Sequence, residues 1–257
     1  MMRLFTFATS PYARKVRMAL DFKGIAYEPV ERCYSLDHKA DLLTVNPRAE
    51  VPALILDDGR TIADSTIICE YLEDAFPEPS LRPSDPYERA RMRQIEDLCD
   101  RAFDAVTYGY WIAEARKTVP ESDRMKAAAR AEFEALLKKL EGELGDRDFF
   151  CGAISIADLA AICHVPAARA IGIDLHKMPH LRRWSARMTA IPAVKGDRDR
   201  LVAALSKVHD ITSELEGPDA KVHWRDSRLE WPVRHGFIEF VAREFGAGKM
   251  MFPPDGT

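Results

Sequence analysis

The chain has 257 residues, 47% of them hydrophobic and 30% charged, the balance of a soluble protein able to bury a core. Its 37 Lys and Arg against 41 Asp and Glu leave a net charge of −4, which gives no basic footprint for nucleic acid or an anionic membrane. With 13 Gly and 16 Pro it has too little of either for a fibrous or disordered chain. The opening segment Met1–Val16 lacks the continuous apolar stretch of a signal peptide, and no apolar run approaches the roughly 20 residues that span a bilayer. The five cysteines are odd in number and scattered, with no CxxC pair. That usage fits a reducing compartment and argues against a disulfide framework or a zinc site. The expectation is a cytoplasmic protein with no metal, nucleic-acid or membrane partner.

In chain order, Arg3–Ala8 reads as a short strand and Pro11–Phe22 as a helix, with Val16, Ala19 and Leu20 at helical spacing and Gly24 ending it. Ala26–Val30 is a second strand. Ala53–Leu56 and Thr61–Ala63 flank Asp57-Asp58-Gly59, a hairpin signal. Ser65–Ala75 is helical, with Ile68, Leu72 and Ala75 on one face and Pro77 closing it. The order β-α-β-loop-β-β-α predicts an α/β domain over residues 1–83. Pro79, Pro83 and Pro86 mark its boundary.

From residue 86 to 205 the pattern is all-helical, with segments predicted at Tyr87–Arg116, Glu121–Leu144, Ile156–Ala170, Pro179–Ala190 and Ala193–Val208. Residues 206–257 form an extension carrying Trp224, Trp231, Phe237, Phe240 and Phe245. A disordered tail rarely holds that many aromatics, so the extension is expected to pack on the body, with a short helix over Gly236–Phe245.

Three local patterns carry chemistry. Ser10 precedes Pro11 at a helix start, where it caps the helix or, with the positive helix end, forms an anion site. Pro52 opens a strand as either a plain strand-start proline or a cis bond that leaves the Val51 backbone open to another extended chain. Asp64 or Ser65 caps the next helix, and its free N–H groups can hold a carboxylate.

Together these patterns resemble the glutathione transferase family. The chain reads Ser10-Pro11-Tyr12-Ala13-Arg14-Lys15-Val16-Arg17, then Asn46-Pro47-Arg48-Ala49-Glu50-Val51-Pro52-Ala53-Leu54, then Asp64-Ser65-Thr66-Ile67-Ile68-Cys69-Glu70-Tyr71-Leu72-Glu73, in the family's order and spacing. In the helical part, Ser155 and Asp158 match its buried N-capping box. The resemblance covers residues 2 to about 205. It implies a thioredoxin-like domain followed by a helical bundle, glutathione as co-substrate, and a dimer of like or related chains.

It also implies site roles. A free thiol is only roughly 3% ionised at neutral pH, and Ser10 is the hydroxyl donor that would stabilise the thiolate. Ser10 stands where glutaredoxin-like branches carry cysteine, which favours conjugation over thiol–disulfide exchange. Tyr12 lies in the same motif, Val51 with Pro52 would pair with the cysteinyl part, and Asp64 with Ser65 would hold the γ-glutamyl end. Glu50 departs from the Gln or Lys common before Val-Pro, leaving His38, Lys39 or Arg48 to supply positive charge. The glutathione site so implied lies wholly in the first domain. Phe103, Tyr108, Tyr110 and Trp111 fall on the helix where the family lines its electrophile pocket, although an aromatic stripe on a helix is more often core. The run Asp64–Arg93 and the chain length resemble the bacterial lignin β-aryl etherase branch. A binding protein without turnover, or one subunit of a heterodimeric transferase, is the alternative. Retention of Ser10, Pro52 and Ser65 favours the enzyme.

Overall fold

The computed structural model describes residues 1–32, 36–206 and 221–252, with residues 36–39 described by backbone alone. Strand β1 (Met2–Thr6) runs parallel to β2 (Tyr27–Glu31) and antiparallel to β3 (Ala53–Ile55), which pairs antiparallel with β4 (Thr61–Ala63). The resulting order β2-β1-β3-β4 is a small mixed sheet. Helix α1 (Pro11–Phe22) and α3 (Ser65–Ala75) pack on it, and α2 (Leu36–Leu43) follows β2. Observed ends lie within two residues of the predicted ones. Helix α2 was not predicted, because eight residues with three leucines do not establish a period.

The helical part begins at α4 (Pro86–Asp97), capped by Asp85, whose carboxylate accepts from the Glu88 N–H. The predicted helix Tyr87–Arg116 is not one regular helix. Leu98–Phe103 winds as a π-helix and joins α4 to α5 (Asp104–Ala115). Then come α6 (Ser122–Leu144), α7 (Ile156–His164), α8 (Ala167–Ala170), α9 (Pro179–Ala190) and α10 (Pro192–Leu205). Predicted Ile156–Ala170 divides at Val165-Pro166, because proline has no N–H to continue α7. The end of predicted Ala193–Val208 lies outside the described residues. At the start of α7, Asp158 is fully buried and accepts from the Ser155 N–H and hydroxyl, the Phe150 N–H and the Trp184 indole. The capping box therefore also anchors a tryptophan of α9.

Buried cations tie the sheet domain to the helices. Residues 13–20 of α1 are all buried, including Arg14, Lys15 and Arg17. Arg14 and Arg17 both donate to Asp197 of α10, at 2.8 and 2.9 Å through Nε. Lys15 reaches Glu96 of α4 at 2.6 Å and Asp100 of the π turn at 2.5 Å. Removing one partner of such a pair leaves an uncompensated buried charge, at about 3–5 kcal/mol.

The described part of the extension, residues 221–252, packs against the helices. Its strand β5 (Val222–His223) pairs in parallel with β6 (Met250–Met251), and α11 (Asp226–Arg234) and α12 (Ile238–Gly246) lie between them in sequence. Helix α11 covers α5. A Cβ on Gly109 would stand 2.6 Å from the Trp231 ring, so glycine there is what admits the tryptophan. Trp224, Trp231, Phe237 and Phe240 are buried, while Phe245 stays exposed.

His164 closes α7 beneath the Phe103 ring, centroids 5.9 Å apart, with a buried Nε2 that has no partner among the described residues. Burial pushes its pKa down from 6.5 to about 4. Between those values the unfolded chain binds the proton and the folded chain does not, so this group's contribution to stability is present above pH 6.5 and lost as pH falls toward 4. The urea midpoint of the parent should fall over this window by more than that of His164→Leu. The carboxyls titrating in both proteins cancel in the comparison, and parallel curves would contradict the assignment.

Candidate functional site

The three sequence patterns meet at one edge of the first domain, facing the helices and the extension. Ser10 caps α1 and is 4% exposed. Its Oγ accepts from the Ala13 N–H at 3.3 Å, a long bond, and its hydroxyl proton has no acceptor among the described residues. A serine here both caps the helix and keeps a donor for an anion at the positive helix end. Two residues on, the Tyr12 hydroxyl donates to the Asp100 carbonyl of the π turn at 2.7 Å. Burial above all, with the nearby Asp104 carboxylate, pushes the Tyr12 phenol far above its ordinary value, so it stays protonated.

The Val51–Pro52 peptide is cis. No described residue pairs with the Val51 N–H or C=O, while the neighbouring Glu50 carbonyl accepts from the Asn46 side chain at 2.8 Å. Asp64, not Ser65, is the cap of α3, accepting from the Thr66 and Ile67 N–H groups. Its φ of 79° lies in the left-handed region, a strained conformation for a non-glycine residue, costing about 1–3 kcal/mol and often found at ligand sites. Ser65 is thereby the first residue of the helix, 3% exposed, with its N–H and hydroxyl unpaired among the described residues.

Glu50 is 7% exposed. Its carboxylate meets Arg48 at 3.2 Å, Arg225 at 2.8 Å and the His223 ring at 3.8 Å. The Arg225 guanidinium lies 4.8 Å above the centroid of the Tyr12 ring. The site thus does not lie wholly in the first domain: the His223 ring of β5 and the Arg225 guanidinium after it both reach the Glu50 carboxylate. Arg48 divides between Glu50 and Asp64, the latter at 3.4 Å. Lys39 lies on α2, but its side chain and that of His38 are outside the described residues.

Of the residues expected to line an electrophile pocket, Phe103 is fully buried, edge-on to Phe133 at 5.1 Å, and offers no surface. Tyr110 is 9% exposed and edge-on to Trp111. Tyr108 is half-buried, edge-on to Trp224 at 5.9 Å, with Arg228 4.1 Å over its face and its hydroxyl donating to the His223 carbonyl. Trp111 is half-buried. Among the described residues no cluster of His, Cys, Asp or Glu is arranged to hold a metal ion, and no helix is long and apolar enough to cross a membrane.

Comparison with known proteins places this arrangement. The profile of the glutathione S-transferase N-terminal domain matches residues 4–80, and that of the C-terminal domain matches residues 89–187. A probable glutathione S-transferase, BZ2 of Zea mays, is 33% identical over 237 residues, covering 84% of this chain and 96% of that protein. A Methylobacterium radiotolerans glutathione S-transferase solved with glutathione sulfonate is 32% identical, with TM-score 0.66 over 76% of this chain and 93% of that one. The β-etherase LigF from Sphingobium is 29% identical, with TM-score 0.63 over 77% of this chain and 99% of that one. Glutathione is the co-substrate of that family, and this chain, sheet domain and helices alike, belongs to the glutathione S-transferase family.

Proposed function

We propose that the protein is a glutathione transferase in which the Ser10 hydroxyl stabilises the glutathione thiolate for attack on a hydrophobic, aromatic electrophile. The observation that carries this is the Ser10 hydroxyl, buried at the α1 N-terminus with a proton that no described acceptor takes. The unpaired Val51 backbone supports a place for the cysteinyl part, and the unpaired Ser65 N–H and hydroxyl support a place for the γ-glutamyl carboxylate. Tyr12 contributes its ring and the position of the π turn, since its hydroxyl is already engaged. The half-buried rings of Tyr108 and Trp111 are the aromatic surface this reading gives the electrophile, with Trp224 and Arg228 of the extension packed on Tyr108.

The finer reading is a β-aryl ether as electrophile. The thiolate sulfur would form a bond to the carbon bearing the aryloxy group, the C–O bond would break, and the departing aryloxide would take a proton from water. Likeness to the Sphingobium β-etherase supports this reading. A second subunit, a copy or a related chain, belongs to this reading, and native mass would report it.

The test is retention on immobilised glutathione followed by a screen of aryl halides, epoxides and β-aryl ethers. Binding without turnover of any of them would favour the non-catalytic alternative. Ser65→Ala should raise the glutathione KM about tenfold at near-constant kcat, because the γ-glutamyl end is remote from the reacting sulfur. Equal loss in both parameters would contradict that division of roles.

A further inference from the structure

We propose that Arg225, delivered by the C-terminal extension, is a glutathione-site residue that binds the glycyl carboxylate at the corner formed by Glu50 and Tyr12. The inference rests on the transferase reading above and goes beyond it, since the family resemblance ends near residue 205 and assigns the extension no part in the site.

Three observations carry it. The first is position: the guanidinium stands between the Tyr12 ring, two residues beyond Ser10, and the carboxylate of Glu50, one residue before Val51. It therefore sits between the residues flanking the sulfur site and the backbone site. With the thiol at Ser10 and the γ-glutamyl end at Ser65, the glycyl end is the part left to run toward this corner.

The second is charge. Glutathione brings two carboxylates to a region that already holds Glu50 and Asp64. Arg48 is shared between those two acids. Without Arg225 the acids and arginines of the corner, Glu50 and Asp64 against Arg48 alone, would be net negative, and a second carboxylate would be repelled. The third is donor count. Of five guanidinium N–H groups, one has a hydrogen-bond partner among the described residues, Glu50 at 2.8 Å. The Arg225 side chain is 22% exposed, so the rest are held near the site yet reachable. Glu50, anomalous as a ligand for an anion, is then explained as the anchor that fixes Arg225.

The test pairs ligand and residue in the full chain, by calorimetric titration with glutathione and with its glycyl monoethyl ester. The parent should bind glutathione about tenfold more tightly than the ester, as expected for a charge-assisted bond. Arg225→Ala should lose that preference, binding glutathione about tenfold more weakly and the ester within about twofold of the parent. Arg225→Lys should restore part of it, which also covers the case in which the alanine variant folds poorly. An equal loss for both ligands would overturn the proposal and make Arg225 a clamp for the extension. So would an unchanged preference, which would move the carboxylate to another cation. A parent that binds neither ligand would instead overturn the transferase reading itself.

Discussion

Ser10→Ala should lower turnover at neutral pH about 10- to 100-fold while the protein stays folded. In the proposed mechanism the hydroxyl proton is the donor to the thiolate, and a hydrogen bond to a charged acceptor is worth roughly 1.5–3 kcal/mol, which at about 1.4 kcal/mol per tenfold is one to two decades. The same atom caps α1, but through a 3.3 Å bond to Ala13, so the loss of capping should lie near the lower end of the usual range, about 0.5 kcal/mol. The two roles separate experimentally. Bound thiolate absorbs in the ultraviolet, and its titration midpoint should move up by about one to two pH units in the variant, with the melting temperature nearly unchanged. A variant that titrates like the parent would reduce Ser10 to a helix cap.

Arg228→Ala should cost about 3–5 kcal/mol, a large share of the 5–15 kcal/mol that holds a typical domain folded. Arg228 and Asp104 are both buried and joined by two hydrogen bonds, at 2.7 and 2.9 Å. Burial works to raise the Asp104 carboxyl, and the guanidinium beside it outweighs that and holds the group below its ordinary value. Take the guanidinium away and the carboxylate is stranded under α11. In Arg228→Met with Asp104→Leu, neither charge remains to be desolvated, and most of the stability should return. Urea unfolding of the single and double variants reads this directly. A single variant within about 0.5 kcal/mol of the parent would show that the Arg228–Asp104 pair contributes little to the fold.

The sequence made the sheet domain, the start of α1 and the caps at Asp64 and Ser155 legible, because each is a local pattern in which neighbouring residues set one another's backbone. Ser10, Val51 and Ser65 were visible for the same reason. Arg225 was not: it lies 175 residues from Glu50, and no spacing rule links the two. The acid at position 50 was the one signal, a charge of the wrong sign that called for a cation from somewhere. Arg14, Lys15 and Arg17 read as a solvated face of α1, and what shows that face to be buried is the acids packed on it, Asp197, Glu96 and Asp100, all far away in sequence. The strands of the extension were illegible too, since two residues have no period to read.

The π turn at Leu98–Phe103 acts as a phase shift along the longest rod of the molecule. Each residue of an α-helix advances the azimuth by about 100°, so wider winding changes which way everything after it points. Upstream of α5, Asp100 faces Lys15 and Tyr12 of the sheet domain; beyond it, Asp104 and Tyr108 face Arg228 and Trp224 of the extension. Winding the same six residues as regular α-helix, with none removed, would turn α5 by roughly that 100°, because each π turn holds one residue more than an α turn. Gly109 would swing away from Trp231, and the whole docking seam of the extension would be out of register with the domain beneath it.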